Sequence, residues 1–175
     1  MPFPRVSRLL LVLFLTVMVA APGLAQSKSP ECGPDHAIIY KRASALLDKA
    51  EKKLNNHYTA EAKALVKEAN SLFSILVKEC SRAQKERVLT DKELQQEAIN
   101  KKLSQDALAQ AERLMQSAQE KEKKSQQAEA RGQSELSLSY QRQAKDEYER
   151  AHVQFIKAEI YALRNQQMIF RFLHK

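Results

Sequence analysis

PDHAIIYKRASALLDKAEKKLNNHYTAEAKALVKEANSLFSILVKE, residues 34–79, carries two runs of apolar residues at helical spacing separated by one polar turn. In the first run Ile39, Ala43, Leu46 or Leu47, Ala50 and Leu54 recur at steps of three and four, which places them on one face of a helix. Pro34 suits a first helical turn, and Asp35 beside it is a residue type that caps exposed backbone N–H groups. Asn55, Asn56, His57 and Tyr58 form the turn, and Thr59 offers an N-cap for the second run. That run has its seam at Ala62, Leu65, Ala69, Leu72 and Leu76, widened by Val66, Phe73 and Val77. Two facing seams joined by so short a turn predict an antiparallel helical hairpin over residues 34–80.

The hairpin makes a statement about the cysteines. Cys32 lies just before the first helix and Cys80 at the end of the second, and antiparallel helices of near-equal length bring those points together. A Cys32–Cys80 disulfide is therefore expected. With no C-x-x-C pair in the chain, a redox role is not.

Beyond Cys80 the chain holds one glycine, Gly132, and no proline, while Ala, Leu, Glu, Lys and Gln dominate. These residues lose least on entering a helix, and no alternating pattern offers a strand. The fold class is all-α. Thr90, Asp91, Lys92 and Glu93 match a capping box, so a break is expected near Leu89. The alternative is that helices two and three are continuous, since neither Gly nor Pro separates them. The third seam runs through Leu94, Ala98, Leu103, Ala107, Ala111, Leu114 and Ala118, flanked by Leu108 and Met115, and then fades. Residues 120–129 are almost wholly Lys, Glu, Gln and Ser, which describes a helix standing clear of any core. Arg131, Gly132 and Gln133 form the next turn, with Ser134 as a cap. The last helix has its seam at Tyr140, Ala144, Tyr148, Ala151, Phe155, Ala158, Ala162, Ile169 and Leu173, with Ile156, Leu163 and Phe170 alongside.

A second antiparallel hairpin over 90–173 follows, with a solvated tip and an apolar base that packs on the disulfide-closed hairpin. Residues 34–175 form a single domain, an elongated four-helix arrangement of coiled-coil character. Many seam positions are Ala, which bury little area, so homo-oligomer formation is expected to supply further burial.

Upstream, Arg5 and Arg8 precede an apolar run from Leu9 to Ala21, followed by Pro22, Gly23, Leu24 and Ala25. A positive region, an apolar core and small residues in that order predict a signal peptide over 1–25, cleaved to leave Gln26 first, with 26–33 as linker. The run falls short of the ~20 residues that span a bilayer, so no transmembrane anchor is expected after cleavage. Export, to the periplasm or beyond the cell, suits a disulfide. Cleavage removes two of 29 basic residues and no acid, leaving 27 against 21, or +6. The bases alternate with Glu and Gln, as on solvated helix faces. Nucleic acid is not an expected partner; weak attraction to anionic envelope surfaces is compatible with the charge.

Candidate chemistry is sparse. His36, His57 and His174 sit at helix or chain ends. Glu149 and His152 form one Glu-x-x-His, but bundle metal sites use two copies and no second exists, so neither metal nor cofactor is expected. Met115, Met168 and His152 suggest no haem pairing. Both cysteines are consumed, no Ser stands in a Gly-flanked turn, and three glycines cannot build a phosphate loop, so an enzyme is not expected. Two interaction segments remain. One is the charged tip from Gln119 to Leu138. The other is Met168, Phe170, Phe172 and Leu173, which with Ile169 exceed what one helix face can bury and are expected to dock on a partner or second copy. The expected function is a periplasmic or secreted, non-enzymatic helical scaffold that binds protein partners in the cell envelope. A periplasmic holdase chaperone and a structural subunit of an envelope or appendage assembly are the alternatives.

Overall fold

Helix α1 (Pro34–Asn55) and helix α2 (Thr59–Glu79) run antiparallel, joined at Asn56–Tyr58. They belong to a computed structural model that describes residues 32–174, so the expected signal peptide and the linker up to residue 31 lie outside the described residues. After α2 come a short helix α3 (Ser81–Glu86), α4 (Asp91–Ala130), α5 (Ser134–Ile169) and a terminal 3-10 turn (Phe170–His174). Among the described residues there is no strand.

The first hairpin closes as its seams require. Tyr40, Ala43, Leu47, Ala50 and Leu54 of α1 are buried against Ala62, Val66, Ala69, Phe73 and Leu76 of α2. Tyr40 exceeds the expected seam, its ring edge-on to Phe73 at 6.5 Å between centroids, while Val77, expected inside, is exposed. Cys32 and Cys80 are disulfide-bonded with their Cα atoms 5.1 Å apart. Beside the bond, His36 accepts the Gly33 N–H at Nδ1 (3.0 Å), and its Nε2 meets Glu79 Oε2 at 3.0 Å. The start of α1 is therefore capped by His36 and not by Asp35, which stays exposed.

The chain breaks where the capping box stands. Thr90 Oγ1 accepts the Glu93 N–H (3.3 Å), and Glu93 Oε2 accepts the Thr90 N–H (3.0 Å). Helices two and three are thus separate, with α3 between them. Arg87 fixes this connector to the far end of the chain. Its guanidinium donates to the carbonyls of Met168 and Ile169, the last of α5, and pairs with Glu93. The Thr90 N–H bond, with Arg87 beside it, holds the Glu93 carboxyl below its ordinary range. A depressed carboxylate contributes stability at neutral pH that is lost as pH falls through its lowered value. Arg87→Ala removes two hydrogen bonds to carbonyls and the pair with Glu93, and is expected to destabilise by about 2 kcal/mol, read as a lower Tm by circular dichroism.

Helix α5 is sandwiched. One side buries Ala144, Ala151 and Ala158 under α4; the other sends Ile156, Ile160 and Leu163 into the hairpin core. Helix α4 packs along α5 and makes no other substantial helix contact. Small residues line the α4–α5 seam, and polar bonds set its register. Asn100 Nδ2 donates to Asn165 Oδ1 (3.0 Å), Ser104 Oγ to the Ala158 carbonyl (2.9 Å), and Lys121 pairs with Glu147. The seam does not fade after Ala118. Ser125, Ala128 and Ser137 are buried at the tip, with the Ser125 and Ser137 hydroxyls 2.9 Å apart. Small side chains let the two backbones approach closely there, so a stretch with almost no large apolar residue still packs. Past the α1–α2 turn, which abuts α5 near Asp146–Ile156, the pair runs on as a two-helix arm of about 18 Å.

Candidate functional site

Four residues singled out for interaction, Met168, Phe170, Phe172 and Leu173, fall in different places. Phe170 is fully buried and Leu173 nearly so, both within the core shared with α1 and α2. Their expected docking role is corrected. The expectation measured Phe170 against the seam through Ile169 and Leu173. Phe170 instead lies seven residues beyond Leu163 and fourteen beyond Ile156, so it continues the stripe of α5 that enters the hairpin core. Met168 and Phe172 remain half-exposed.

Met168 lines a cleft of about 820 Å³ between α1, the start of α4 and the end of α5. Its α4 wall is a helical row of Lys92, Gln96 and Leu103, with Ile99 next to Leu103 on the same helix surface. Tyr161 and Met168 of α5 supply apolar area opposite, and Tyr40 stands at the α1 side. Ile99 is 52% exposed and Leu103 39%, so the lip of the cleft is apolar and open to solvent. The expected third seam counted Leu94, Ala98 and Leu103 as core, yet all three are exposed. Ala107, Ala111 and Ala118 of that seam do face α5, and Asn100 joins them.

Phe172 lines a shallower cleft of about 530 Å³, which shares Thr90, Glu93 and Arg171 with the first, so the two are continuous. Val88 beside Phe172 is 89% exposed. The combined surface is a groove with apolar patches at both ends and charge between them. Arg164 there is tied to Asp48 (2.7 Å) and Glu51 (2.5 Å), and Glu93 to Arg87. Lys92 and Arg171 make no ion pair among the described residues. The groove therefore presents fixed apolar contacts and net positive charge.

None of this was visible as a motif. The groove arises because a short connector, α3 and residues 87–90, swings α4 to the far side of α5, leaving one α4 flank uncovered. The excess of large apolar residues on α4 over what its alanine face can bury was the available signal.

The tip from Gln119 to Leu138 is charged on its outside, with Leu136 and Leu138 exposed. Glu149 and His152 lie on the exposed surface of α5 near the α1–α2 turn. No helix among the described residues is long and apolar enough to cross a membrane. Comparison with protein-family models, with curated proteins and with solved structures finds no match.

Proposed function

We propose that the chain is an exported, non-enzymatic helical binding protein that holds a segment of a partner protein in the groove between α1, α4 and α5. The observation that carries this reading is the uncovered flank of α4, where Ile99 and Leu103 stand exposed beside the cleft floored by Tyr161 and Met168. Water-exposed large apolar residues along a formed cleft gain free energy when another surface covers them, and grooves of this kind take amphipathic segments. The Cys32–Cys80 bond supports an oxidising compartment. Arg87, Glu93 and Arg164 of the groove are held in structural ion pairs, an arrangement suited to binding more than to proton transfer. Lys92 and Arg171, unpaired among the described residues, favour an acidic partner segment.

The test is crosslinking in the native envelope. A photoreactive residue at position 103 is expected to give one discrete adduct, and the same residue at Ser74, exposed on the outer side of α2, none. Leu103→Asp is expected to reduce recovery of that partner by at least about tenfold with Tm unchanged, since a charge in a desolvated contact costs more than 1.4 kcal/mol. A diffuse smear of adducts equal at both positions would reject a specific groove.

A further inference from the structure

The open end of the α1–α2 hairpin gathers three metal-ligating side chains. The Sγ atoms of Cys32 and Cys80 and one imidazole nitrogen of His36 all lie within 4.8 Å of one another. Cys32 precedes α1, His36 stands in its first turn and Cys80 closes α2, so the antiparallel pairing that delivers the disulfide delivers the imidazole with it. His36 is 8% exposed and Cys80 1%, while Cys32 is half-buried and leaves the cluster a way in from solvent.

The hydrogen bonds of His36 set its tautomer. Nδ1 accepts the Gly33 N–H and Nε2 meets Glu79 Oε2, each at 3.0 Å. A ring nitrogen that accepts an N–H carries no proton, and an ionised carboxylate only accepts, so the ring proton sits on Nε2. Nδ1 keeps its lone pair beside Gly33, the residue that follows Cys32. Metal-ligating histidines are prepared in the same way, with one ring N–H given to a carboxylate and the other nitrogen turned to the metal. The disulfide itself uses neither nitrogen, yet the fold holds both.

We infer that the reduced chain binds Zn2+ through Cys32 Sγ, Cys80 Sγ and His36 Nδ1, with water as the fourth ligand and Glu79 holding the imidazole from behind. Two thiolates and an imidazole are zinc's preferred donor types, and at Zn–S distances of about 2.3 Å the two sulfurs of a tetrahedral site stand about 3.8 Å apart. With their Cα atoms 5.1 Å apart, Cys32 and Cys80 reach that separation by side-chain rotation, the helices staying in place. The metal takes the lone pair now shared with Gly33, whose half-buried N–H turns to water. A dithiol reductant opens the site by exchange. Its two thiols become a disulfide as the Cys32–Cys80 bond becomes two thiols, and Zn2+ then displaces their two protons. The hairpin clamp thus has two forms, covalent in oxidising surroundings and zinc-held in reducing ones.

The experiment uses the full-length exported protein, reduced with a dithiol and desalted without oxygen, with Co2+ as the optical probe and Zn2+ as its competitor. The reduced chain is expected to take up one Co2+, with a thiolate-to-cobalt charge-transfer band in the near ultraviolet and visible bands of tetrahedral intensity, all bleached by Zn2+. The oxidised chain is expected to show none of these. Zn2+ at about a hundred times its Kd should raise the Tm of the reduced chain by about 8 °C and leave that of the oxidised chain unchanged. His36→Ala is expected to lose the tetrahedral visible bands. Glu79→Gln keeps every ligand, and is expected to retain the bands while weakening the metal about tenfold, as loss of a positioning carboxylate does. A reduced chain without the charge-transfer band, or a spectrum and affinity unchanged in His36→Ala, would overturn the site. An unchanged affinity in Glu79→Gln would overturn the part assigned to Glu79.

Discussion

Reducing the Cys32–Cys80 bond is expected to lower the Tm by about 10 °C, because a cross-link closing a long loop contributes roughly 3 to 4 kcal/mol. The bond joins residues 48 apart in sequence, the opposite ends of the α1–α2 hairpin. Without it, the start of α1 is held to the end of α2 by the His36–Glu79 pair and by the core around Tyr40, Phe73 and Leu76. Those contacts keep the hairpin folded, so the far-ultraviolet circular dichroism of the reduced chain should stay helical at room temperature. The measurement is calorimetry of exported protein with and without dithiothreitol, repeated on the Cys32→Ser, Cys80→Ser double variant. An unchanged melt, with both thiols shown to be free by mass, would mean that the hairpin is held by its core alone.

The α1–α2 hairpin and its disulfide were legible because each signal reinforced the next. Clean apolar steps fixed two faces, a four-residue polar turn forced them together, and the matched lengths delivered Cys32 to Cys80. The break before α4 was legible for a local reason, the reciprocal bonds of Thr90 and Glu93. The caps of α1, α2 and α5 were not: Tyr58 and Gln133, in place of the expected Thr59 and Ser134, stand before α2 and α5 and make no side-chain cap bond, and the partner at α1 depends on tertiary surroundings. Gly33 is completed by His36, whose other nitrogen is held by Glu79 from another helix.

The groove was illegible for a different reason. Periodicity marks which residues share a face but not what covers that face. On α4 the expected seam joined Leu94 and Leu103 to Ala107, Ala111 and Ala118; the helix presents the three alanines and Asn100 to α5, while Leu94, Leu103 and the flanking Leu108 stay exposed. Close approach and the Asn100–Asn165 and Ser104–Ala158 bonds set the register, and the leucines fall on the flanks. An Ala-lined seam is easily read as a weak one from the sequence, although two helices with small side chains in register pack to the tip of the arm.

Phe170→Ala is expected to lower the Tm by about 10 °C or more, since emptying a fully buried Phe site costs roughly 3 to 5 kcal/mol in lost transfer energy and residual cavity. The ring is completely excluded from solvent, in a core cluster that includes Leu173 and residues of α1 and α2, and lies 6.2 Å from the Phe172 ring. It also closes the end of the chain. The carbonyls just before it, Met168 and Ile169, accept from Arg87, so loss of the ring loosens the turn on which the α3–α4 connector is pinned. Phe172→Ala provides the contrast: half-exposed beside Val88, its ring is expected to contribute less than about 1.5 kcal/mol to folding. If Phe170 served a partner in place of the chain's own core, its removal would leave the melt of the isolated protein unchanged and weaken association. A Phe170→Ala melt within a degree of the parent's, with a Phe172→Ala melt far below it, would reverse the assignment of the two rings.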